Sequence, residues 1–215
     1  MIAPDRTVLS PNFNDAPVVG KTVIIHCTRS GKSNYALEMQ ATLNYMSTPG
    51  TVSSHWVIGR DGEKVRVVPD NKQGWHAQED NDNSWGIELC QGVETDGFTL
   101  SQLTALEAVC RGYVQDFGVS AVHVTSSGAA GFVGHQETAQ GIRNGKTDPG
   151  SGFPWSAFIA ALSPTVPAVP SSTEQLDALT AVQRQVVDYL MAKPLVALTA
   201  RQSATLRWLE SNALK

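Results

Sequence analysis

Along residues 18–163 the apolar positions follow two rhythms: short continuous runs, and longer stretches that repeat every three or four residues. The TVIIH core of VVGKTVIIHCT (18–28) is apolar and β-branched, which predicts a buried strand ending at His26. NYALEMQATLNYMS (34–47) spaces Leu37, Met39, Leu43 and Met46 as one face of an amphipathic helix. SSHWVIGRDGEKVRVVPD (53–70) holds two strand-like runs around Arg60, Asp61 and Gly62, and Asp-Gly is a strong hairpin signal. A polar loop, QGWHAQEDNDNS (73–84), precedes another apolar strand, WGIELCQG (85–92).

TLSQLTALEAVCRGYVQDFG (99–118) places Leu100, Leu103, Leu106, Val109, Cys110, Tyr113 and Val114 on one helical face, with Gly118 as its C-cap. VSAVHVTSS (119–127) and GFVGH (131–135) have strand character, and FPWSAFIAAL predicts a closing helix. Strands interspersed with covering helices predict an α/β domain over about residues 1–163. Residues 164–175 are rich in Pro, Ser and Thr and read as an extended linker. In 176–215 Leu176, Leu179, Val182, Val186 and Leu190 recur at helical spacing, and Pro194 divides this segment into two short helices. Helices that short cannot bury much by themselves, so the tail is expected to pack on the main domain, on another copy or on a target.

Composition narrows the function classes. Over 215 residues, 41% apolar and 17% charged content describe a globular chain. A net charge of −4 argues against a nucleic-acid partner, which calls for a basic face. No apolar run is long enough to span a bilayer. The start lacks the pattern of a secretory signal, so synthesis and initial residence in the cytoplasm are expected. Cys27, Cys90 and Cys110 are odd in number and form no CxxC pair, which argues against a disulfide framework.

The chemistry-bearing residues gather at strand ends and in a Gly-rich loop. His26 and His135 each end a strand, and Asp148 follows 13 residues after His135 in VGHQETAQGIRNGKTDPGSGFPW (133–155). Two histidines and a carboxylate can serve as three ligands of a Zn²⁺ ion with a fourth position left for water. From spacing alone, a lone strand-end His is more often a satisfied core or surface residue, and Asp-Pro-Gly is more often a turn.

The blocks VIIHCT, SSHWVIGRDG, GWHA, NSWGIEL, VGHQE and KTDPG…FPW stand together in one order. In that order the chain resembles the zinc-dependent N-acetylmuramoyl-L-alanine amidases of the type-2 family, whose fold is shared with peptidoglycan recognition proteins and phage endolysins. The resemblance covers roughly residues 18–163 and implies a mixed sheet flanked by helices, with an open groove on one face. It implies His26, His135 and Asp148 as ligands of Zn²⁺, Glu88 as general base and Lys146 as the cation that stabilises the oxyanion. Trp75, His76 and Asn83 fall in blocks that line the family's substrate groove. His55 is a candidate for that groove or for a hydrogen-bonded place in the core, and His123 has no matching role. One branch of the family carries a tyrosine where this chain has Ser54, which would leave proton transfer to Glu88. Some phage members carry a cysteine where Asp148 stands.

The implied activity is hydrolysis of the amide between N-acetylmuramic acid and L-alanine of the peptidoglycan stem peptide. With its linker and tail, the chain is expected to be a phage endolysin that lyses the host wall after release, the tail binding cell wall or mediating oligomerisation. The alternatives are a cytoplasmic amidase recycling anhydro-muropeptides and a recognition protein that binds peptidoglycan without cutting it.

Overall fold

A computed structural model describes residues 3–162, and the expected linker and helical tail lie outside them. The elements in chain order are β1 (Arg6–Thr7), β2 (Phe13–Asn14), β3 (Thr22–Cys27), α1 (Tyr35–Ser47), β4 (Trp56–Ile58), β5 (Lys64–Arg66), β6 (Gln73–Gly74), β7 (Ser84–Leu89), α2 (Leu100–Phe117), β8 (Gly131–Gly134), α3 (Ala139–Arg143) and α4 (Trp155–Leu162). Six strands form one mixed sheet in the order β1-β5-β4-β7-β3-β8, and β2 pairs with β6 in a separate ribbon. The α/β architecture expected from the sequence is the one observed.

The two central strands, β3 and β7, run parallel over their full length, with His26 opposite Glu88 and Ile24 opposite Gly86. Parallel strands with helices on both faces read as continuous apolar runs, and TVIIHC and SWGIEL do. Side chains alternate between the two faces of a strand, so the register sorts the sheet. Val23, Ile25, Trp85, Ile87, Trp56, Ile58 and Phe132 point to one side, where α2 and α4 cover them with Leu106, Val109, Tyr113, Phe158 and Leu162. Val57 and Val65 point to the other side, beneath Met39, Leu43 and Met46 of α1. His26 and Glu88 share that second face, because they pair directly and Val57 pairs with Glu88.

Local chemistry accounts for the element ends. Asn34 caps α1 by accepting from the Ala36 and Leu37 amides. Thr99 caps α2 by accepting from the Gln102 amide, and Gly118 closes it in the left-handed conformation at φ 69°. The Asp61-Gly62 hairpin joins β4 to β5, with Gly62 at φ 94°.

Several details depart from the sequence reading. Residues 119–127 form no strand; only an isolated bridge joins His123 to Phe132. The chain there runs into a Ser- and Gly-rich turn, and Val122 is exposed. Leu37 and Leu100 share the spacing of the core positions but are exposed, whereas Met39, Leu43, Met46, Leu106 and Val109 are buried. β8 stops at Gly134, so His135 opens a 3₁₀ turn rather than ending the strand.

Candidate active site

His26 is the penultimate residue of β3 and points into a cleft of about 530 Å³ on the α1 face of the sheet. His135 enters the same cleft from the turn after β8, and Asp148 enters from the loop after α3. Glu88, Lys146 and His76 also line it, and Tyr45, Met46 and Val52 form the opposite wall. The loop is tied on both sides of its functional residues. The Lys146 amide donates to Gly141 O at 2.9 Å, and the Gln136 amide donates to Asp148 O at 2.8 Å.

Three atoms converge in this cleft. His26 Nδ1 lies 3.0 Å from His135 Nδ1 and 3.4 Å from Asp148 Oδ2, and His135 Nδ1 lies 3.1 Å from the same oxygen. A tetrahedral Zn²⁺ site with ligand bonds of about 2.0–2.1 Å has ligand–ligand edges of about 3.3 Å. All three residues are buried.

The outer partners fix the ring tautomers. His135 Nε2 faces Gln140 Oε1 at 2.8 Å, an acceptor, so this nitrogen carries the proton and Nδ1 presents a lone pair. His76 Nε2 faces the carbonyl of Ser84 at 3.4 Å, which leaves His76 Nδ1 to accept from His26 Nε2 at 3.1 Å. His26 therefore also presents Nδ1 as a lone pair. Two lone pairs and a carboxylate oxygen at these distances call for a positive charge among them, either a shared proton or a cation.

The electrostatics agree. Burial, reinforced by His135, lowers the His26 imidazole to about 4, so at neutral pH it is an uncharged donor suited to a metal. Burial pushes the Asp148 carboxyl upward, but hydrogen bonding from His135 and His26 outweighs it and holds the group well below the ordinary carboxylate range. Glu88 is pushed up to about 8, first by burial and then by the charge of Asp148, with Lys146 opposing. Its Oε2 is buried and without a hydrogen-bond partner among the described residues, leaving a lone pair free on the same sheet face as His26.

The structure thus brings together His26, His135, Asp148, Glu88, Lys146 and His76. It does not bring in the other three candidates. His55 is fully buried, accepting at Nδ1 from the Gly86 amide at 3.0 Å, with Nε2 2.9 Å from Lys72 O. It is a hydrogen-bonded core histidine and does not line this cleft. Trp75 stands outside the cleft and donates from Nε1 to Asn14 Oδ1 at 3.0 Å. Asn83 also lies outside it, with its backbone packed so close under Gly20 that a Cβ there would meet its carbonyl oxygen at 2.0 Å. Ser54 is buried, donates to Trp56 O at 2.8 Å and is not among the residues lining the cleft.

Sequence reasoning missed Gln140 and Gly86. Gly86 makes room for His76, since a Cβ there would meet the His76 ring at 2.5–2.8 Å. Gln140 carries no pattern of its own in the sequence, because its bond to His135 forms only across the turn that joins them.

Comparisons with known proteins agree with this arrangement. The chain is 36% identical over 122 residues to the 1,6-anhydro-N-acetylmuramyl-L-alanine amidase AmpD of Citrobacter freundii, a match covering 53% of this chain and 59% of that protein. It is 37% identical over 120 residues to AmpD of Escherichia coli K12, covering 52% of this chain and 59% of the relative. The match therefore spans less than two thirds of the length of these relatives. Among solved structures, a selenomethionine derivative of AmpD superposes with a TM-score of 0.54 at 26% identity, covering 75% of this chain and 96% of that one. The endolysin N-acetylmuramoyl-L-alanine amidase LysCS of Clostridium intestinale shares the fold, with a TM-score of 0.53 at 19% identity over 74% of this chain and 97% of its own. Residues 14–151, which carry every residue of the cleft, match the N-acetylmuramoyl-L-alanine amidase family, and the chain belongs to that family.

Proposed function

We propose that the cleft is the catalytic centre of a zinc-dependent peptidoglycan amidase that hydrolyses the amide between N-acetylmuramic acid and L-alanine of the stem peptide. The convergence of His26 Nδ1, His135 Nδ1 and Asp148 Oδ2 carries this reading, because their separations match the edges of a tetrahedral site. A bound Zn²⁺ supplies Lewis-acid chemistry, acidifying water and polarising the amide carbonyl. His26 and His135, oriented by His76 and Gln140, would hold the ion through Nδ1, and Asp148 would contribute charge that offsets part of the cation's own. Glu88 takes a proton from the attacking water and returns it to the departing amine of L-alanine. Its raised value suits a group that must give back the proton it accepts, and a neighbouring dication would draw that value down towards neutrality. Lys146 lies against negative charge as it develops on the carbonyl oxygen.

The deciding experiment measures zinc content of the purified protein and release of free stem peptide from cell wall, with and without a chelator. Stoichiometric zinc without cleavage would overturn catalysis in favour of a binding protein. Two biological settings are compatible with the centre. A wall-lysing endolysin rests on the linker and tail of the sequence, which leave an appendage for wall attachment. A recycling enzyme acting on soluble fragments is favoured by the relatives whose names specify a 1,6-anhydro substrate. Rates on intact sacculi against soluble anhydro-muropeptides separate the two.

A further inference from the structure

Two residues beyond β3, Arg29 holds a left-handed backbone conformation at φ 43°. That conformation costs free energy for any residue with a Cβ and none for glycine. Retaining a long side chain there suggests that the side chain has work to do. Its guanidinium reaches the loop after α3. Nη1 donates to Thr147 Oγ1, and Nη2 donates to the Thr147 carbonyl at 2.9 Å. Nη2 also lies 3.3 Å from Glu94 Oε1, and the side chain is only 24% exposed. Thr147 is the single residue between Lys146 and Asp148.

We propose that Arg29 is a positioning residue: by gripping Thr147 at two points, it fixes the aim of both Lys146 and Asp148. The inference rests on the metal-amidase reading above. The backbone bonds at Lys146 and Asp148 hold the loop on either side, and Arg29 holds the residue between them. Arg29 is also three residues from His26, so the grip ties the strand end that bears His26 to the loop that bears Asp148. The contact to Glu94 is a partly exposed ion pair and contributes little by itself; the planar two-point fork on Thr147 carries the effect.

Arg29→Gly tests this, because it removes the fork and relieves the backbone at once. If Arg29 mattered only to the fold, the variant would lose stability while its folded fraction kept the parent's metal affinity and kcat. The expected result is a folded variant whose thermal midpoint equals or exceeds that of the parent, with Co²⁺ affinity lowered about 10-fold or more by chelator competition. The visible spectrum of bound Co²⁺ should shift as Asp148 loosens. On a soluble muropeptide, kcat should fall about 10- to 100-fold with KM little changed. Arg29→Lys, which can keep one of the two bonds, should recover part of both losses. If Arg29→Gly does not fold, Thr147→Ala, which removes the hydroxyl acceptor alone, should lower Co²⁺ affinity severalfold, and an unchanged affinity there overturns the proposal. A folded Arg29→Gly with the parent's Co²⁺ affinity and kcat overturns it equally. A parent protein that takes up no Co²⁺ refutes the metal site and this inference with it, whereas parent binding unaltered by Arg29→Gly refutes this inference alone.

Discussion

Replacing Glu88 with Gln in metal-free protein should make the chain more stable as the pH rises. The Glu88 carboxyl is raised from its ordinary value of 4.5 to about 8 by burial and by Asp148. Folded protein therefore binds this proton more tightly than unfolded protein does. The stability associated with the neutral carboxyl is fully present below about pH 4.5 and is lost as the pH climbs through about 8. At about 1.4 kcal/mol for each tenfold change in proton affinity, the span from 4.5 to 8 sets a ceiling of about 5 kcal/mol. Glu88 is half-buried and borders an open cleft, so water reaches part of the charge and about 1–3 kcal/mol is the expected cost of ionisation. Urea denaturation in the presence of a chelator, at pH 5 and pH 8.5, measures it. The variant should differ from the parent by less than about 1 kcal/mol at pH 5 and exceed it by about 1–3 kcal/mol at pH 8.5. Adding Zn²⁺ should narrow the gap, since a cation beside Glu88 compensates its charge. A difference that stays flat between the two pH values, or a variant that is the less stable at pH 8.5, would refute the placement of a desolvated carboxyl on this sheet face.

His26→Ala, His135→Ala and Asp148→Ala should each abolish or sharply weaken zinc retention, read by metal analysis after dialysis, and wall cleavage should fall with it. Lys146→Ala should retain zinc yet turn over roughly 10²-fold or more slowly, as expected for loss of an oxyanion partner; a parent-like kcat would remove Lys146 from the reaction. Because His55 is buried and bonded at both ring nitrogens, His55→Ala should lower stability by about 2–4 kcal/mol, visible in the thermal midpoint. Its KM for muropeptide should stay close to the parent's, and a large rise in KM at unchanged stability would restore the groove reading.

Much of this fold was legible because burial and period agree. TVIIHC and WGIEL announce two-sided burial, Asp61-Gly62 announces the hairpin, and Thr99 and Gly118 bracket α2. Periodicity identified the helical faces but not where each helix overhangs the sheet, which is why Leu37 and Leu100 are exposed. Strand alternation likewise placed His55 by parity alone, and its enclosure depends on Lys72 and Gly86, which are distant in sequence or in the next strand. The five-residue α3 and the two-residue β1 and β2 are too short to leave a periodic signature. At the site, residue types and placement offered His26, His135 and Asp148 as one reading among others, and only the resemblance singled them out as the proposed ligand set. The choice of Nδ1 on both rings depends on Gln140, His76 and Ser84 and emerges only in three dimensions.

The register between β3 and β7 gives the molecule a division of labour. Each residue pair across those strands alternates between the face sealed by α2 and α4 and the face that opens into the cleft. Thermal hardening and catalytic tuning are consequently separable by parity. Repacking at Ile25, Ile87 or Leu106 can stiffen the scaffold from behind, while changes at His26 and Glu88, on the other parity of the same strands, reach the proposed catalytic groups directly.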